Sequence, residues 1–326
     1  MADTSDGKTG RPPVVVVAGP TASGKSGLAL ALAEAVGGVV INADSMQVYR
    51  ELALLTARPG PEALARAPHR LYGVMTGREP CSAGRWRALA LEEIAACHGK
   101  GAVPIVVGGT GLYLRALEDG LAPVPEVSAE VRAAARALHG ELGGAGLHAM
   151  LAERDPVMAA RLRPSDSQRV IRAWEVLEAT GRSLADWQAE TADPADAPAP
   201  YRFLRLVCLP PRDRLYAACD ARFLRMVEAG AVEEVRALRA LALDPALPIM
   251  KALGVPELSG LLDGWLTRDE AIVRAQTATR NYAKRQMTWL RTQMPEGTHT
   301  VIVGEQYSES LDQEIFAKIR HFLLTA

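Results

Sequence analysis

The stretch Gly19-Pro20-Thr21-Ala22-Ser23-Gly24-Lys25-Ser26, which directly follows Pro13-Val14-Val15-Val16-Val17-Ala18, narrows the folds open to this chain. It fills each fixed position of the phosphate-cradling pattern G-x-x-x-x-G-K-[ST]. The β-branched run before it is too short for a buried helix and reads as a strand, and Leu28 to Val36 is a run of good helix formers. Between strand and helix, successive backbone N–H groups and the helix N-terminus converge on one spot and favour an anion there. Lys25 can reach an outer phosphate, and the Ser26 hydroxyl can ligate Mg²⁺. A diphosphate or longer is the expected guest; the bland alternative is a glycine-rich connection that matches by accident.

The rest of the chain alternates strands and helices before and after a purely helical stretch. Val39 to Asp44 reads as a second strand with Asp44 at its carboxyl end, the edge where open α/β sheets bind ligands. Ser45 to Pro68 holds Pro59, Gly60 and Pro61 and reads as a loop with short helical pieces. A helix from Ala83 to Cys97, capped by Ser82, leads to a third strand, Ala102 to Val107, closed by Gly108-Gly109-Thr110-Gly111; Leu112 to Asp119 resumes a helix. From Pro123 to Pro200 only helices are expected: Ala129 to Leu142, Gly146 to Glu153, Pro156 to Leu162, Asp166 to Thr180 and Leu184 to Glu190. Ser165 and Gln168 are spaced as a capping box for the fourth, Gly181 follows its end, and Thr191 to Pro200 reads as a linker. Strand signals return at Arg202 to Leu209 and again at Thr298 to Val303, before a closing helix, Leu311 to Leu324. The expectation is therefore an α/β core over residues 13–122 and 201–326, a helical insertion over 123–200, and a disordered start over 1–12.

Composition sets outer limits. With 326 residues, 48% of them hydrophobic and 23% charged, the chain can bury a large core. A formal net charge of -1 gives no overall field toward nucleic acid, so a polyanionic partner must meet a local basic surface. Cys81, Cys97, Cys208 and Cys219 lack zinc-site spacing, and His69, His98, His139, His148, His299 and His321 show no ligand pattern. Free thiols suit a reducing cytoplasm, and no apolar run is long enough to span a membrane.

An ATPase or GTPase normally closes an apolar strand with an acidic metal ligand, whereas Pro104-Ile105-Val106-Val107 runs into Gly108-Gly109-Thr110. What remains is a diphosphate cradle beside the carboxylate of Asp44 and a flexible turn, the inventory for moving a group from a phosphorylated donor to a second substrate. Asp44 can serve as the base that takes a proton from the attacking group, or simply as a turn residue at a strand end. In the fourth insertion helix, Val170, Trp174 and Leu177 share a core stripe, while Gln168, Arg169 and Arg172 project elsewhere. The two arginines, three apart, can face one polyanion or form a solvated surface paired with Glu175. Arg280 to Arg291 mixes cations with Tyr282 and Trp289, a pattern that suits either a nucleic-acid backbone or a core helix with a charged exterior.

Several of these strings resemble the bacterial tRNA dimethylallyltransferases: Gly-Pro-Thr-Ala-Ser-Gly-Lys-Ser at 19–26, Asn-Ala-Asp-Ser-Met-Gln-Val-Tyr-Arg at 42–50, Thr-Ala-Arg-Pro at 56–59 and Val-Gly-Gly-Thr-Gly-Leu-Tyr at 107–113. Asp-Ser-Gln-Arg-Val-Ile-Arg-Ala at 166–173, Glu-Ala-Thr-Gly at 178–181 and Arg-Asn-Tyr-Ala-Lys-Arg-Gln-Met-Thr-Trp at 280–289 complete the resemblance, which runs in order from about residue 13 to 291. It implies a P-loop NTPase-like parallel sheet flanked by helices, with an all-helical insertion that binds tRNA. It also implies transfer of a dimethylallyl group from dimethylallyl diphosphate to N6 of adenosine 37, beside the anticodon, with Mg²⁺. Residue by residue, it assigns the loop from Gly19 and Pro20 through Thr21, Ala22, Ser23, Gly24, Lys25 and Ser26 to the diphosphate, and Asp44 to N6. Ser45, Met46 and Gln47 would hold the flipped adenine, Thr110 would line the passage where the substrates meet, and Arg132 with Gln168, Arg169, Val170, Ile171 and Arg172 would contact the anticodon stem-loop. The chain departs from the family's Arg-Ile-Asp-x-Arg pattern at Ala218-Cys219-Asp220-Ala221-Arg222, where only the second arginine is kept and Arg222, Arg212 or Arg214 would serve the diphosphate. The rival readings are a small-molecule kinase using ATP, an enzyme prenylating free AMP, and a non-enzymatic RNA-binding protein. A monomer is expected.

Overall fold

Six parallel strands form the sheet, in the order β3-β2-β4-β1-β5-β6. They are β1 (Pro13–Ala18), β2 (Gly38–Asn42), β3 (His69–Arg70), β4 (Val103–Gly108), β5 (Arg202–Cys208) and β6 (Thr300–Val303). The computed structural model describes residues 10–190, 199–304 and 312–324. The expected start over 1–12 and linker over 191–200 lie almost wholly outside them.

The β-branched run of β1 is buried on both faces because the strand sits centrally, between β4 and β5. Val14, Val16 and Ala18 join the core on one side and Val15 and Val17 the core on the other, which is why the run is continuously apolar and does not alternate. The helices that follow in sequence are α1 (Lys25–Val36), α2 (Pro61–Arg66), α3 (Ala83–Gly99), α4 (Gly111–Asp119), α5 (Ala129–Arg154), α6 (Pro156–Arg161), α7 (Ser167–Thr180), α8 (Leu184–Ala189), α9 (Arg212–Glu228), α10 (Ala231–Ala240), α11 (Val255–Leu262), α12 (Arg268–Gln293) and α13 (Asp312–Leu324). Leu28, Ala29, Leu32 and Ala33 of α1 pack with Ile315, Ile319 and Phe322 of α13 on one sheet face. Trp86, Ala90 and Ile94 of α3, together with residues of α9 to α12, cover the other.

Two units emerge from the chain's own contacts: one comprises residues up to Glu118 and from Ala199 onward, the other residues 119–198. The described part of the second is helical. Its core gathers Leu147 and Leu151 of α5, Met158 and Ala159 of α6, Val170, Trp174 and Leu177 of α7 and Leu184 of α8. The two expected helices at 129–142 and 146–153 join into α5 through a kink at Gly143, whose φ of 67° and ψ of 176° interrupt the helix. Ser82 caps α3 as expected, accepting from the Arg85 amide. The expected capping box at Ser165 does not form. Asp166 occupies the N-cap position of α7 without a side-chain cap bond, and its carboxylate faces the Arg169 guanidinium at 3.4 Å instead. Strand β3 lies inside the stretch that reads as following a loop, because a two-residue pairing with Val40 and Ile41 leaves no periodicity to read.

Candidate active site

At the carboxyl ends of β1, β2 and β4 the chain brings together the phosphate loop, Asp44 and the turn after β4. Gly19 and Pro20 are buried and continue β1, while Gly24 takes a φ of 87° as the N-cap of α1, a left-handed conformation open to glycine. Lys25 folds back to donate from Nζ to the Pro20 carbonyl at 3.3 Å. Burial holds its ammonium below the ordinary value, the Asp44 carboxylate opposes this, and the Arg222 guanidinium adds to it. The Ser26 hydroxyl is exposed in the first turn of α1, and the Ser23 Oγ is buried without a hydrogen-bond partner.

Asp44 is fixed by its neighbours. Asn42 accepts from the Asp44 amide at 2.8 Å and donates to the Asp44 and Leu71 carbonyls at 3.0 and 3.1 Å. Oδ1 of Asp44 accepts from the Met46 amide at 2.8 Å and the Gln47 amide at 3.4 Å. The turn role weighed against the catalytic one is thus present, and it engages Oδ1. The carboxylate is within electrostatic reach of Lys25, Arg222 and Tyr282.

Thr110 is tied to the turn after Asp44: its Oγ1 accepts from the Ser45 amide at 3.1 Å and donates to Ser45 Oγ at 3.4 Å, with the Tyr282 phenol close by. Burial, with Asp44 adding and Thr110 opposing, pushes the Tyr282 phenol up to about 12, so it remains protonated at neutral pH. The Gln47 carboxamide donates to the Thr56 and Ala57 carbonyls at 2.7 and 3.2 Å, which leaves its oxygen as an acceptor. The loop carrying those carbonyls is gripped by Glu234 of α10, which accepts from the amides of Ala53, Leu54 and Leu55 at 2.6, 2.8 and 3.0 Å.

Of the three arginines weighed for the diphosphate, Arg222 of α9 is the one at the loop, donating to Thr21 Oγ1. Burial lowers its pKa, against the pull of Cys219 and Asp44. Arg212 bonds Tyr216 instead. Gln286 of α12 accepts from the Thr21 amide at 2.9 Å and donates to the Gly109 carbonyl at 2.8 Å. Within the stretch from Arg280 to Arg291, Arg280 pairs with Asp220 at 2.6 Å, and Lys284, Arg285 and Trp289 line an open groove of about 590 Å³.

In the helical unit, Gln168 and Arg169 of α7 are exposed, and Arg172 lies 3.3 Å from the buried Glu175 carboxylate. Arg132 of α5 lies 3.7 Å from Glu126. Val170 is fully buried among apolar side chains, so it supports the helix from inside and its side chain is not presented to a ligand; Ile171 packs partly against the same core. Among the described residues no group of three or more His, Cys, Asp or Glu could hold a metal, and no helix is long and apolar enough to cross a membrane.

The structure gathers the motif residues of the loop, Asp44 and Thr110 at one edge of the sheet; Asn42, Tyr282 and Gln286 lie inside stretches the sequence singles out without their partners being readable there, and Glu234 carries no local signal that marks it out. A family model described as IPP transferase matches residues 47–293, and one described as isopentenyl transferase matches residues 12–79. The chain is 64% identical over 282 residues to a tRNA dimethylallyltransferase of Rhodospirillum centenum, covering 86% of this chain and 89% of that one. It is 57% identical over 318 residues to that of Rhodospirillum rubrum, covering 97% of each. Among solved structures, a eukaryotic dimethylallyltransferase acting on tRNA superposes with a TM-score of 0.80 at 26% identity, over 96% of this chain and 79% of that one. A parallel sheet with a phosphate loop after its central strand, a strand-end Asp facing that loop, and likeness along nearly the full chain converge: the protein belongs to the bacterial tRNA dimethylallyltransferase family.

Proposed function

We propose that this protein transfers a dimethylallyl group from dimethylallyl diphosphate to the exocyclic N6 of adenosine 37 in the anticodon loop of tRNA, releasing diphosphate. The observation that carries the reading is the Asp44 carboxylate, pinned by Asn42 and its own turn, within electrostatic reach of Lys25 and Arg222 at the phosphate loop. A base beside an anion cradle suits a displacement in which an amine enters as diphosphate departs.

The N6 lone pair is delocalised into the adenine ring, so the site must position the amine, remove its proton and stabilise charge on the leaving group. Oδ2 of Asp44 is the acceptor for that proton. The amides after Thr21, with Lys25 and Arg222, stabilise the departing charge, while Ser45, Met46 and Gln47 face the base and Thr110 lines the passage. The N6 atom is reached once the base leaves the loop stack, at a cost of about a few kcal/mol. The exposed Ser26 hydroxyl at the start of α1 fits a Mg²⁺ bound chiefly through diphosphate oxygens and water, as Mg²⁺ commonly is. The ion would supply further charge neutralisation on the diphosphate. Gln168, Arg169 and Arg172 of α7 and Arg132 of α5 are the helical unit's polar surface toward the stem-loop, and the reaction takes place in the cytoplasm.

Radiolabelled dimethylallyl diphosphate, Mg²⁺ and an anticodon stem-loop should yield labelled RNA. Label transferred to AMP but not to RNA would assign the protein to free-nucleotide prenylation, and ATP-dependent phosphoryl transfer without prenylation would make it a kinase.

A further inference from the structure

We propose that Gln286 is a positioning residue for transfer, a single carboxamide that sets the spacing between the phosphate loop and the turn carrying Thr110. The role rests on the transferase reading above.

Gln286 is 7% exposed and makes one bond to each region: it accepts from the Thr21 amide and donates to the Gly109 carbonyl. Three residues of α12 at helical spacing, Tyr282, Gln286 and Trp289, meet the turn, and Gln286 is the one hydrogen-bonded to it. The Tyr282 phenol lies close to Thr110, Gln286 bonds Gly109, and the Trp289 ring lies over Gly111, where an added Cβ would come within 2.5 Å of it. The fit at Gly109 is equally close, since a Cβ there would lie 2.3 Å from Nε2 of Gln286 and 2.6 Å from the Gly19 carbonyl. Thr21 is the matching anchor on the loop side. Its amide is held by Gln286 and its hydroxyl accepts from Arg222, so that amide is not free for the diphosphate. Among the amides that follow, that of Ser23 is also engaged, donating to the Pro20 carbonyl at 3.3 Å.

The position requires a donor and an acceptor on one planar group. A carboxamide supplies both; a carboxylate sets an acceptor against the Gly109 carbonyl, and an aliphatic side chain leaves both partners unmatched. Misplacement by about one ångström can cost on the order of 10²-fold in rate when two reactants must align.

The test compares wild type, Gln286→Leu and Gln286→Glu in the labelled transfer assay, with stem-loop affinity and thermal unfolding measured alongside. Gln286→Leu should lower kcat by on the order of 10²-fold while stem-loop affinity stays within about twofold. In Gln286→Glu, protonation of the introduced carboxylate lets it donate to Gly109 while still accepting from Thr21. The rate of Gln286→Glu relative to wild type should therefore rise several-fold as pH falls from about 8.5 to about 6. Both proteins share the ionisable groups Lys25, Asp44, Cys208, Cys219, Arg222 and Tyr282, so that ratio isolates the substituted position. A purely structural role would give a ratio independent of pH. An active wild type with a flat ratio, or with both variants at the wild-type rate, overturns the positioning role alone. If Gln286→Leu fails to fold, the Gln286→Glu ratio decides. A wild type that transfers no label overturns the transferase reading and this role with it.

Discussion

At single residues, transfer turns on which side chains meet the leaving group and which meets the amine. Lys25→Ala should lower turnover by on the order of 10²-fold or more, as loss of a charge-stabilising donor does, and unchanged turnover would count against the cradle. Asp44→Ala should abolish prenylation and leave stem-loop binding nearly intact; a fully active variant would remove Asp44 from the mechanism. Burial holds the Lys25 pKa down, so Lys25 loses its charge at a lower pH than an exposed lysine. Affinity for an unreactive thiodiphosphate analogue should therefore fall as pH rises through that lowered value, and Lys25→Ala should bind weakly with no such alkaline fall. Calorimetric titration across the alkaline range reads both. The loop and Asp44 were legible because their function lies in a local pattern, a run of eight residues and a strand-end acid. Gln286 was not, since its bond to Thr21 spans 265 residues and only the folded chain brings them together.

Elements were readable where a signal is local and obscured where tertiary contact decides. The capped helix α3 and the buried strand β1 follow from their own residues, whereas Asp166 gives its carboxylate to Arg169 and the box anticipated at Ser165 is lost. That pair bears on RNA recognition by α7: Arg169 is 75% exposed, so its contact with Asp166 is weak and readily exchanged for a phosphate. Arg169→Ala should weaken stem-loop binding and reduce the salt slope by about one, and an identical slope would leave Arg169 as solvated surface. On α10, the Glu234 carboxylate alone accepts from three successive amides, those of Ala53, Leu54 and Leu55. Glu234→Ala should lower unfolding free energy by about 1–3 kcal/mol in urea titration, and no change would show that water replaces the carboxylate fully.

For the whole molecule, the run of strand and helix signals pointed to an α/β core with a helical insertion, while strand order was beyond its reach. The order β3-β2-β4-β1-β5-β6 places β1 between β4 and β5, and this puts the phosphate loop beside the Gly-rich turn. One chain supplies the loop, Asp44, Thr110, Arg222, Tyr282 and Gln286, so light scattering should return the mass of a single active chain; activity confined to a larger species would contradict that. The central claim is that a cradle of the kind used for nucleotide phosphates holds an isoprenoid's departing diphosphate opposite a carboxylate. A crystal structure with dimethylallyl thiodiphosphate tests it most directly. The diphosphate should lie on residues 22–26 with Lys25 and Arg222 against it and Asp44 Oδ2 facing the allylic carbon's open side; a ligand bound elsewhere, or Asp44 turned away from it, would overturn this reading.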